Sequence, residues 1–249
     1  MSDSAKPRHM RPFVSMTNKT KALHFSIAEV QSRMDLREPH ALNLEYTRTM
    51  MGFLLFDTAP DYIGMIGLGG GSLAKFCYRH LPDATICVAE INPYVIALRD
   101  EFAVPEDDER FTVIEADGAD FVRTAPRPFN VLLIDGYDSK GLPKALSSQR
   151  FYEDCHAALA PDGLLVANLH ADHREYQQQI ERVRHCFHDA FLLVEDKREG
   201  NSIVFAQKGN PLQMLSPGPL RRPPSFEEKT WKAFQGSFAR IMSALKENS

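Results

Sequence analysis

Several things are scarce in this chain of 249 residues, and each scarcity removes a class of function. There are only four cysteines, Cys77, Cys87, Cys155 and Cys186, far apart and without a C-x-x-C pair. That excludes zinc-ligand spacing and a disulfide framework, and it points to a reducing, cytoplasmic setting. No apolar stretch approaches the ~20 residues of a membrane span, and the polar start with Lys6, Arg8 and Arg11 lacks the apolar region of a secretory signal. Basic charge is not in excess: the net charge is -4 and the Lys and Arg residues are scattered, so a nucleic-acid partner is not expected. The nine histidines show no H-E-x-x-H or paired-ligand spacing, and no metal is expected. No internal repeat is visible.

What is present is an alternation of short apolar runs with longer amphipathic ones from Tyr62 to Lys208, the pattern of βαβ units and a mainly parallel sheet. Strands are expected at Tyr62–Ile66, Thr85–Glu90, Phe111–Glu115, Phe129–Ile134, Leu164–Asn168, Leu192–Asp196 and Ser202–Gln207. Helices are expected at Ser72–His80, Pro93–Phe102, Ala119–Thr124, Gln149–Leu159 and His173–Cys186. Only Lys197–Asn201 separates the last two strands, too little for a parallel crossover, so they form a hairpin.

The expected fold is therefore α/β: a Rossmann-like seven-stranded sheet of the S-adenosylmethionine-methyltransferase type with a small N-terminal β appendage. Residues 1–45 form the appendage, with a strand pair within "HFSIAEVQSRMDL", and "REPHALNLEYTRTMMGFLLF" has helical spacing. Residues 46–210 form the nucleoside-binding domain. Residues 211–249 hold a Pro-rich linker and a helix through Trp231, Phe234, Phe238, Ile241 and Leu245, docked on the domain or on a partner subunit.

Ligands of such sheets bind at the carboxyl ends of strands, and the residues there are chemically coherent. The first strand ends in Gly67-Leu68-Gly69-Gly70-Gly71, followed by Ser72 at the head of a helix with free N–H groups. Glu90 ends the second strand, about 20 residues beyond the glycines, the interval at which an acid grips ribose hydroxyls; taken alone it reads rather as a solvated strand-end carboxylate. Asp117-Gly118 follow the third strand, and Asp135-Gly136-Tyr137-Asp138 the fourth. Asp135 follows "NVLLI", a run buried on both faces, so its carboxylate is partly desolvated. It either binds an ammonium or takes a proton from an amine, or it closes an Asx turn.

"IGLGGGSLAKF", "AEINPYVIALRDEF", "EADGADFV" and "VLLIDGYDSKGLPKALSSQRFYEDCHAALAPDGLLVANL", in this order, resemble the spermidine and spermine synthases, the polyamine aminopropyltransferases. "VQSRMDLREPHALNLEYTRTMM" is similar to the segment that precedes them in that family, so the resemblance spans about residues 27 to 208. It implies transfer of an aminopropyl group from decarboxylated S-adenosylmethionine to a small-molecule amine, without a metal, by a homodimer.

Carried over by the resemblance, Gln31 lies near the nucleoside, Glu90 holds the ribose, and Asp117 and Gly118 meet the adenine. Gly67, Gly69, Gly70, Gly71 and Ser72 belong to the cofactor-binding set. Tyr46 faces the amine, Asp135 orients and deprotonates it, and Asp138 is the second acid of the D-x-x-D stretch in the catalytic set.

Departures from the family pattern accompany the matches. The family reads G-G-G-D-G where this chain has Ser72, and Thr47-Arg48 follow Tyr46 where the family shows His or Gln and then Glu. These changes keep two alternatives open: a methyltransferase using S-adenosylmethionine itself, and a nucleoside-binding homologue without catalysis. His170 is expected to line the acceptor pocket by position, and loop Ser139–Ser148 to close as a lid.

Overall fold

The central strands are apolar on both faces, so two cores form, one on each face of a central sheet. Val131 and Leu133 of one strand belong to the first core, and Leu132 and Ile134 of the same strand to the second. The computed structural model describes residues 9–27, 30–137, 141–188, 190–195, 200–209, 222–223 and 226–247.

Three antiparallel strands come first: β1 (Phe13–Met16), β2 (Thr20–His24) and β3 (Ser32–Asp35), in the order β1-β2-β3. The sequence reading expected a strand pair within the stretch from His24 to Leu36; β3 lies inside it, β2 meets it only at His24, and β1 is an addition. Short helix α1 (Glu45–Met50) runs into a 3-10 turn at Met51–Leu55 and delivers the chain to the main sheet.

The main sheet contains β4 (Tyr62–Ile66), β5 (Thr85–Glu90), β6 (Phe111–Glu115), β7 (Phe129–Ile134), β8 (Leu159–His170), β9 (Phe191–Glu195) and β10 (Asn201–Gln207). Their order is β6-β5-β4-β7-β8-β10-β9. Strands β4 to β8 run parallel, and β10 is antiparallel to both β8 and β9. The order reverses between β4 and β7, which opens a crevice at their carboxyl ends.

The intervening helices are α2 (Ser72–His80), α3 (Pro93–Ile96), α4 (Gly118–Arg123), α5 (Gln149–Ala158) and α6 (Tyr176–Cys186). The helix expected at Pro93–Phe102 is broken: α3 ends after one turn and a 3-10 turn follows at Asp100–Phe102, closed by Ala103 at a φ of 52°. Helix α6 begins three residues later than the apolar spacing suggested, because His173 closes a turn with Tyr176 before the helix starts.

Helix α7 (Glu228–Glu247) packs within the chain on α1 and β9. Its Trp231, Phe234, Phe238, Ile241 and Leu245 are all buried in the first core. Arg240 fastens it to α1, donating to Glu45 Oε1 at 2.5 Å and to Thr49 Oγ1 at 3.1 Å. Among the described residues no helix is long and apolar enough to cross a membrane.

Candidate active site

The crevice holds a cavity of about 870 Å³ lined from both sheets and from the loops after β4, β5, β6, β7 and β8. Its floor begins with Gly67, whose φ of 93° is left-handed and whose Cβ, if present, would lie 2.3 Å from the Asp135 carbonyl oxygen. Only glycine lets the end of β4 pass so close to the end of β7. Gly69 has little around it, and it lines the cavity with Leu68 and Ser72.

Gly70 and Gly71 behave differently from their neighbours. A Cβ at Gly70 would meet Ser32 Oγ at 2.6 Å, and one at Gly71 would meet Val104 at 2.4 Å. Both are buried, and neither belongs to the cavity lining. Their role is packing of the glycine loop against β3 and the segment after the 3-10 turn. Ser72, which does line the cavity, sits with its hydroxyl 3.2 Å from that of Ser32.

Glu90 is 8% exposed and closes the glycine loop from below. One carboxylate oxygen accepts from Leu68 N at 2.9 Å and the other from Asn92 N at 2.8 Å. Burial raises its pKa against the opposing pull of these backbone N–H groups. Asp117 accepts from Ala119 N at 2.7 Å and so caps α4, while it and Gly118 also line the cavity. Gln31 lines the same cavity from the loop before β3.

At the other end stands Asp135, immediately beyond β7. Its Oδ2 accepts from Tyr46 Oη at 3.0 Å and its Oδ1 from Asn168 Nδ2 at 2.9 Å. Burial of the carboxyl raises its pKa, while Asn168, Tyr46 and the nearby His170 act in the opposite direction. A carboxylate so placed, ringed by neutral donors and open to the cavity, is equipped to accept a proton or to hold an ammonium.

Arg48 donates to Leu42 O at 2.6 Å and does not line the cavity, so the cation that stands where the family has an acid is turned away from the site. Glu45, beside Tyr46, accepts from Arg240. Asp138 lies outside the described residues, as do Ser139 and Lys140 of the expected lid; Pro143, Ala145 and Leu146 of that loop line the cavity.

The structure also brings in residues that sequence reasoning missed. Asn168 is 2% exposed and polar within the otherwise apolar "LLVANL", a signal that was available. Tyr137 stacks on His170 with centroids 3.8 Å apart and donates to Asn168 O at 2.9 Å. Asp172 and Asn201 line the same end, and His9 and Met10 border the cavity near Glu90 and Asn92. Among the described residues no group of three or more His, Cys, Asp or Glu is placed to hold a metal.

The model of the spermine/spermidine synthase domain matches residues 44–194, more than half of the chain. The chain belongs to that family. It is 40% identical over 199 residues to a polyamine aminopropyltransferase of Chromobacterium violaceum, covering 80% of this chain and 76% of the relative. It is 36% identical over 238 residues to a polyamine aminopropyltransferase of Neisseria meningitidis, covering 95% and 89%. In structure it is similar to a probable spermidine synthase of Corynebacterium glutamicum, with a TM-score of 0.68 at 21% identity, covering 79% of this chain and 76% of that one. The last likeness bears on the fold alone, and it agrees with the seven-stranded sheet expected from sequence.

Proposed function

We propose that this family member transfers the aminopropyl group of decarboxylated S-adenosylmethionine to a polyamine-type amine, and that Asp135 receives the proton of the attacking nitrogen. The observation that carries the reading is the position of Asp135, held by Tyr46 and Asn168 in the cavity whose other end is formed by Glu90 and the glycine loop.

The chemistry follows from the groups. An amine attacks carbon only as the neutral base, and a nearby carboxylate removes its proton. The nitrogen forms a bond to the carbon attached to the sulfonium, the carbon–sulfur bond breaks, and its electron pair returns to sulfur, which leaves as neutral methylthioadenosine. The ribose hydroxyls belong with Glu90, the adenine with Asp117 and Gly118, and the amine with Tyr46 and Asp135; Gln31 and Ser72 lie on the donor side. Holding both reactants in one cavity converts a bimolecular step into an intramolecular one.

The free cysteines support a cytoplasmic setting. Exposed Phe13, Met16 and Leu36 on the N-terminal sheet support a homodimer, which light scattering tests.

The test of function is to incubate the purified protein with decarboxylated S-adenosylmethionine and a panel of amines and to follow methylthioadenosine. Release that depends on the amine is expected. No release with any amine overturns the proposal, and methyl transfer from S-adenosylmethionine instead would put the chain with the methyltransferases that share its fold.

A further inference from the structure

Strand register lines up three polar side chains across the sheet. Ile134 of β7 pairs with Ala167 of β8, so Asp135 and Asn168, each one residue further on, stand side by side. On the other flank β10 runs antiparallel to β8 with Ile203 opposite Asn168 and Asn201 opposite His170. Asn201 is thus a diagonal neighbour of Asn168 on the same face, within reach of a side-chain amide. The row is bonded throughout: Asn201 Nδ2 donates to Asn168 Oδ1 at 3.0 Å, and Asn168 Nδ2 donates to Asp135 Oδ1 at 2.9 Å.

An amide has a donating side and an accepting side, and a carboxylate only accepts. Turned over, the Asn168 amide would present its oxygen to Asp135 and leave a buried carboxylate facing a like partial charge. Water has little access to arbitrate, because Asn168 is 2% exposed. Its backbone is already held, since Tyr137 donates to its carbonyl and stacks on His170. Rotation of the amide is the freedom that remains.

We propose that Asn201 is a positioning residue: its amide N–H occupies the oxygen of Asn168 and thereby fixes the NH2 of Asn168 on Asp135. The consequence for catalysis rests on the reading of Asp135 as the proton acceptor. Asn201, in the hairpin strand, lines the cavity and reaches Asp135 through Asn168. Among the described residues, the ionisable groups around Asp135 are Tyr46 from α1, Tyr137 beyond β7 and His170 at the end of β8, with Asp172 acting on Tyr137.

The experiment is a carbon-13 NMR titration of the Asp135 side-chain carboxyl, assigned by its disappearance in D135N, in the wild type, N201A, N201D and the double variant N168A/N201D against N168A. A carboxylate at 201 can only accept, so in N201D the Asn168 NH2 turns toward it and the amide oxygen faces Asp135. The Asp135 midpoint rises, and the acid limb of kcat/KM for the amine moves with it, with a loss of about tenfold at the pH of the wild-type limb. N201A, which adds no charge, gives a smaller rise in the same direction. The effect of N201D collapses in the N168A background, because the two positions act through one amide.

An unchanged midpoint in folded N201D overturns the proposal. So does a shift that persists undiminished without Asn168, since that reports charge acting through space. Should N201D not fold, N201A decides by the same titration. The titration needs no turnover: a wild type that releases no methylthioadenosine overturns the proposed function, while the midpoints still decide the role of Asn201.

Discussion

Tyr46 and Asp135 lie 89 residues apart in the chain, and the phenol of one donates to the carboxylate of the other at 3.0 Å. The bond joins the N-terminal helix α1 to the carboxyl end of the sheet, so this end of the cavity exists only when both parts are folded together. Helix α7 supports the same junction from behind, through Arg240 on Glu45, the residue next to Tyr46.

Replacing Tyr46 with Phe removes one of the two side-chain donors to Asp135 and keeps the ring. Hydrogen bonds to charged groups contribute about 1.5–3 kcal/mol. The expected result is a fall in kcat/KM for the amine of about ten- to hundredfold, with donor affinity unchanged by calorimetry. An unchanged rate would remove Tyr46 from the acceptor site.

Asp135→Asn separates function from stability. The folded protein holds this carboxyl with a raised pKa because of burial, so the native state prefers the proton. The contribution of this carboxyl to wild-type stability is therefore fullest below the ordinary carboxylate pKa and is lost as pH rises through the raised folded value. The Asn variant has no such decline, so its stability relative to wild type improves with increasing pH, measured by urea unfolding at a series of pH values. Turnover falls by about 10²–10⁴. A pH-independent difference would mean that the carboxyl is not shifted.

The sheet was legible in the sequence because strands β4 to β7 are uniform apolar runs closed by Gly or an acid, and their bounds match residue for residue. The break after α3 was not, because Tyr94, Val95, Ile96 and Leu98 continue a helical pattern that only packing at Phe102 and Val104 interrupts. Glu90 and Asp135 could be found because a strand leads straight to each. Asn168 and Asn201 could not be given their places, since what unites them with Asp135 is register between strands that are distant in sequence. Arg48 misled for a related reason: it is only two residues from Tyr46 in the chain, but α1 turns it toward Leu42.

Ser72→Asp tests donor selectivity. Ser72 lines the cavity beside Ser32, at the position where the family pattern has an acid. An added carboxylate attracts the free ammonium of decarboxylated S-adenosylmethionine and repels the carboxylate of S-adenosylmethionine. Side-by-side calorimetry should show preference for the decarboxylated donor increasing about tenfold or more, in line with one charge-assisted contact. A preference that stays flat would place residue 72 away from the aminopropyl end.

Gly67→Ala is expected to abolish donor binding and to lower the melting temperature together. Its φ of 93° and the 2.3 Å approach of a Cβ to the Asp135 carbonyl force β4 and β7 apart at the point where the cavity begins. Gly69→Ala, whose Cβ would lie 3.8 Å from Ser32, meets strain from its φ of 53° but no such clash. The second variant should retain more stability than the first in thermal melts; equal losses would refute the close-approach explanation.

Lys75 gives a prediction far from the carboxylates. It is fully buried in α2, and its ammonium donates to Phe102 O at 2.6 Å, at the end of the 3-10 turn that packs on the glycine loop. Burial lowers its pKa to about 8. The unfolded chain keeps this proton up to the ordinary lysine value of 10.5, so between the two values folding releases a proton and stability rises with pH. A shift of this size corresponds to about 3 kcal/mol across that window. Urea melts from pH 7.5 to 10.5 should show this rise superimposed on the titration of other groups in the wild type and missing from Lys75→Met. The variant loses a donor to the Phe102 carbonyl, which lowers its stability at every pH alike, so the difference in slope isolates the ammonium. Parallel curves for the two proteins would mean that Lys75 keeps its ordinary pKa in the fold.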